Sequence, residues 1–73
     1  MDRDELVTML RNGPVRVTMN DGSQYVIPPI GENSMVSSLS VHVLYQDEKD
    51  SKWRFHVLSL LTMVRAEEME SAA

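Results

Sequence analysis

Seventy-three residues leave room for one small domain, and eleven Asp and Glu against seven Lys and Arg give it a formal charge of −4. That balance counts against a nucleic-acid module, whose affinity rests on a basic stripe that neutralises phosphates. With no cysteine in the chain, disulfides and thiolate metal sites are excluded, and the apolar runs are far short of a membrane span.

The chain opens with a short helix over residues 2–11. Asp2 is its cap, Glu5 stands at the capping-box position, and Met1 and Leu6 occupy the two positions of a hydrophobic staple. Leu6, Val7 and Leu10 form an apolar stripe, with Met9 at its margin. Asn12-Gly13-Pro14 ends the helix, with Gly13 in a left-handed cap and Pro14 unable to continue the ladder. A helix this short must dock on something, and the sheet that follows is its seat. The N-terminus lacks a basic stretch followed by an apolar run, so it does not read as a secretory signal, and the expected compartment is cytoplasmic.

Val15-Arg16-Val17-Thr18-Met19, Asn20-Asp21-Gly22-Ser23 and Gln24-Tyr25-Val26-Ile27 spell a β-hairpin: alternation, a turn with Asp-Gly, then an apolar-rich run. Pro28-Pro29 stops the second strand, because neither residue donates to a ladder. Residues 28–37 read as a ten-residue loop, long for so small a domain and the first place to look for function.

A third strand is expected over about residues 38–46 and a fourth over about 53–59, joined by the charged hairpin loop Asp47–Lys52. Setting Tyr45 against Trp53, Val43 against Phe55 and Val41 against Val57 assembles one continuous apolar face, with Trp53 as its core anchor. The same register pairs His42 with His56 and Leu44 with Arg54 on the other face, where Leu58 also lies. A tight turn near residues 60–62 then feeds a fifth strand over 63–67, and the tail 68–73 is expected to fray.

This order of a capped helix, an Asp-Gly hairpin, two longer strands, one tight turn and a short edge strand resembles the Sm-like small β-barrel. The likeness runs from Asp2 to Glu67 and is most suggestive at Leu61-Thr62-Met63-Val64-Arg65-Ala66-Glu67. The chain also resembles a group of short bacterial proteins with similar Val-Thr-Met-Asn-Asp-Gly and Leu-Leu-Thr-Met-Val-Arg segments, a likeness that implies no activity. The resemblance to Sm-like proteins implies assembly by edge-strand pairing. Their RNA-contacting signatures are where this chain departs: Arg65 is followed by Ala66 in place of glycine, and Glu32-Asn33 is a poor substitute for the Asp…Asn signature.

No motif forces a reaction. Gly31-Glu32-Asn33-Ser34 lacks phosphate-loop spacing, and none of Ser34, Ser37, Ser38 and Ser40 sits in a nucleophile elbow. The expected fold is therefore mainly β: a single domain with one N-terminal helix and a five-stranded, strongly bent antiparallel sheet or partly open small barrel. The expected function is a non-enzymatic assembly or protein-interaction module without a cofactor. It forms a homo-oligomer or meets an unidentified protein partner, and involves neither nucleic acid nor membrane. Its candidate interface comprises Leu44, Leu58, His42 and His56 on the outward side of the two long strands, with Met63 and Arg65 on the final edge. One alternative is an Sm-like RNA binder, for which Arg11, Arg16, Arg54 and Arg65 would have to converge. Another is a metal-dependent or acid–base enzyme using His42 and His56.

Overall fold

The computed structural model describes residues 1–31, 33–47 and 49–69. Helix α1 spans Arg3–Asn12, with Asp2 as its cap: the Asp4 N–H donates to Asp2 Oδ1 at 2.8 Å. The Met1 amino group donates to the Leu60 carbonyl at 3.0 Å, which ties the start of the chain to the far end of the sequence. Gly13 leaves the helix at φ 159° and ψ −169°, an extended exit in place of the expected left-handed cap.

Strands β1 (Val15–Met19) and β2 (Gln24–Ile27) form the expected hairpin. Gly22 takes φ 88°, and Asp21 Oδ1 accepts from the Ser23 N–H at 2.9 Å and from its hydroxyl at 2.6 Å, which locks the turn. The stretch 28–37 is not wholly a loop. It contains a short strand, β3 (Ser34–Val36), and an isolated bridge between Gly31 and Ser34. The buried Ser34 hydroxyl lies 3.1 and 2.9 Å from the carbonyls of Pro28 and Pro29, so the two prolines are held by side-chain chemistry where a ladder is impossible. Strands β4 (Ser40–Gln46) and β5 (Trp53–Ser59) follow, then a 3₁₀ turn at Leu60–Thr62 and β6 (Met63–Glu68). The Glu68 end of β6 pairs with Val15, where fraying was expected, while residues 70–73 of the tail lie outside the described residues.

These six strands, among the described residues, make two separate three-stranded antiparallel sheets, β2-β1-β6 and β3-β4-β5. The expectation of one five-stranded sheet is corrected, and the strands do not close into a barrel. Two corners separate the sheets. Pro28-Pro29 breaks the run between β2 and β3, and the 3₁₀ turn, capped by Ser59 Oγ accepting from the Leu61 N–H at 3.2 Å, redirects the chain between β5 and β6. The core lies between the sheets and under the helix. Leu6 and Leu10 of α1, Val15 and Val17 of β1, Ile27 of β2 and Val41 of β4 are all fully buried there.

Candidate functional site

The register of the β4–β5 hairpin decides what this protein shows to solvent. It differs by one residue from the arrangement that would join the aromatic side chains in the core. Val41 stands opposite Leu58, Val43 opposite His56, Tyr45 opposite Arg54, and Gln46 opposite Trp53. The loop sets this register. The Asp47 N–H donates to the Lys52 carbonyl at 2.8 Å and the Ser51 N–H to the Asp47 carbonyl at 2.8 Å. Arg54 is clamped by Asp47 (Nε to Oδ2, 3.0 Å) and Asp50 (Nη2 to Oδ2, 2.8 Å).

Because successive side chains point to opposite faces, one step of register turns the whole odd-numbered set of β5 outward. Trp53 is accordingly no core anchor: it is 58% exposed, with Phe55 at 61% and Val57 at 55%. Met35 of β3 and Leu44 of β4 share this outward face through their alternation with buried Ser34 and Val43. Met35, Trp53, Phe55 and Val57 are the surface residues the sequence reading missed. The spacing of Asp47, Asp50 and Arg54 was the available signal, since it ties Arg54 to the loop and leaves Trp53 and Phe55 for the other face.

The candidate residues are redistributed by the same step. Leu44 is outward and 37% exposed, whereas Leu58 is buried in the core, so the two leucines form no common patch. His42 faces outward opposite Val57, with its ring tilted on Phe55 at 5.8 Å between centroids and its Nε2 sharing a 3.1 Å hydrogen bond with Ser40 Oγ. His56 faces the other way. Its Nε2 shares a 3.2 Å hydrogen bond with Tyr45 Oη, and Tyr25 and Tyr45 meet its ring edge-on at 5.6 and 4.9 Å. The two imidazoles therefore share no metal. Among the described residues no group of three or more His, Asp and Glu side chains is placed to hold a cation. Tyr25, Tyr45 and His56 line a cleft of about 240 Å³ between the sheets.

The four outer edges of the two sheets differ in how they are protected. β2 is four residues long and runs into Pro28, and β3 is three residues long. β6 carries Arg65, Glu67 and Glu68, with an Arg65–Glu67 ion pair of 3.2 Å, and its register shifts opposite Thr18 and Met19. Met63 is buried against the core, so it does not contribute its side chain to that edge, while Arg65 does. β5 is seven residues long without proline or register shift, and Arg54, its one charged residue, is occupied by Asp47 and Asp50. Among the described residues, no backbone hydrogen bond reaches the side of β5 facing away from β4.

The arginines required for an RNA surface are separated by this architecture. Arg54 sits on one sheet within its carboxylate clamp, Arg16 and Arg65 lie on the other sheet beside Glu67, and Arg11 is in the last turn of α1. Among the described residues no helix is long and apolar enough to cross a membrane. No family model, curated protein or solved structure matches the chain.

Proposed function

We propose that the protein is a non-enzymatic assembly module that self-associates by pairing the free edge of β5 with the same edge of a second copy. The contrast among the four edges carries this reading. Unpaired strand edges are templates for another strand unless shortness, proline, charge or a bulge blocks them. β2, β3 and β6 each have at least one such device, and β5 has none that is free to act. The seat of assembly thus moves from the final strand, where Met63 and Arg65 were expected to supply it, to the strand before. The resemblance to Sm-like proteins, which join by edge strands, supports the same mode of contact without implying RNA binding.

Antiparallel pairing about a two-fold axis through a residue of β5 keeps odd-numbered positions opposite odd-numbered ones. Trp53, Phe55 and Val57 of both copies would then lie on one face of a continuous six-stranded sheet, with the inward residues still inward. Light scattering on a sizing column is expected to give a discrete multiple of the 8.3 kDa chain mass. Amide exchange is expected to be slowed at the N–H groups of β5 that point away from β4. A monomer overturns the reading, as does an oligomer whose added protection falls on β6.

A further inference from the structure

The face of the β3-β4-β5 sheet that points away from the core is left uncovered by the helix and by the other sheet, and edge pairing would not cover it either. Met35, Leu44, Trp53, Phe55 and Val57 lie on it, between 37% and 61% exposed, with His42 among them. We infer that this face packs against the same face of another copy of the chain, a second contact that rests on the edge-paired reading for its full extent but not for its existence.

Three observations select a second copy as the occupant. The first is area. The exposed parts of these side chains amount to on the order of 600 Å² of mostly apolar surface, at the upper end of what a monomer shows. A standard interface buries about 800 Å² on each partner, so the patch with its rim is of the size required. The second is charge. The whole chain carries −4, yet none of these outward positions bears an Asp, Glu, Lys or Arg. Two copies repel each other over much of their surface, and this face is where they can meet without opposing like charges. A basic partner would seek the acidic surface instead, and an acidic one gains nothing here over a second copy.

The third is self-complementarity. A two-fold contact sets one patch against itself, and an uncharged patch on a sheet meets that condition by interdigitating side chains at the usual spacing of about 10 Å between stacked sheets. If the β5 edges also pair, two adjoining faces form one wider apolar surface. Stacking two such pairs closes a four-chain assembly with two layers of sheet.

The test compares the wild-type chain with Phe55→Thr/Val57→Thr, by light scattering across a dilution series and by amide exchange on β5. Both positions are exposed and threonine suits a strand, so the variant keeps the fold, which the near-ultraviolet signal of Tyr45, half-buried against the core, checks. A four-chain wild type that becomes a two-chain variant with β5 still protected supports both contacts. A two-chain wild type that becomes a single chain, with no added protection on β5, supports the face contact and overturns the edge reading. A wild-type oligomer whose mass and dissociation constant the variant leaves within twofold overturns the face contact and leaves the edge reading standing. A wild-type single chain at every concentration overturns both.

Discussion

Asp47 anchors the β4–β5 turn through both carboxylate oxygens. The Lys49 N–H donates to Oδ1 at 2.9 Å, and the Arg54 guanidinium takes Oδ2 at 3.0 Å. The Lys49 amide first, and Arg54 second, hold its carboxyl below the ordinary value of 3.8. A depressed carboxyl pKa stabilises the folded loop at pH values above the unfolded value, and that contribution is lost as pH falls through the lower folded value. Asp21 does the same in the β1–β2 turn through its bonds from Ser23. A carbon-detected titration is expected to place the Asp47 midpoint below 3.8. In Arg54→Gln the midpoint should rise only part of the way back, because the Lys49 bond survives. A full return to the ordinary value would show that the amide bond does not contribute.

At the scale of elements, the hairpin register makes a prediction that reverses the hydrophobic ranking. Phe55 is larger than Leu58, yet Leu58 is buried and Phe55 is exposed. At a concentration low enough for single chains, Leu58→Ala is expected to cost about 2–5 kcal/mol. Phe55→Thr is expected to stay within about 0.5 kcal/mol of wild type. Urea unfolding separates the two, and the opposite order would restore the register that buries the aromatic residues. The reason for the discrepancy is physical. Apolar pairing alone favours Tyr45 against Trp53, but a strand pair is joined by its turn, and the Asp47–Lys52 and Ser51–Asp47 bonds with the Arg54 clamp fix where pairing begins. Local alternation was legible for β1, where Val15, Val17 and Met19 are all buried, because there a compact Asp-Gly turn and the apolar pattern agree. β3 escaped notice because three residues between a proline pair and a serine cluster have no period to detect.

For the whole molecule, assembly of acidic chains through uncharged surfaces has a distinctive salt response. Added salt screens the repulsion between copies that each carry −4. The apolar contact itself is not weakened by screening. The dissociation constant of the assembly is therefore expected to fall as salt rises, with solution scattering reporting a radius of gyration above the 11.8 Å Cα value of one copy. Binding to a nucleic acid would show the opposite slope. A dissociation constant that rises with salt would mean that ion pairs, rather than the β5 edge and the outward face, join the copies.

Features written in neighbouring residues were legible in the chain alone. They are the Asp2-capped helix, the Asp-Gly hairpin, the break at Pro28-Pro29 and the tight turn at Leu60–Thr62 feeding a last strand. Each depends on side chains within a few positions of one another, where spacing and backbone preference act directly. Pairing between distant segments settles that the strands form two sheets, that His42 and His56 face apart, and that Trp53, Phe55 and Val57 turn to solvent. Those outcomes depend on the register between segments joined by a loop. There, one residue of offset exchanges the two faces of a strand while leaving its local pattern unchanged.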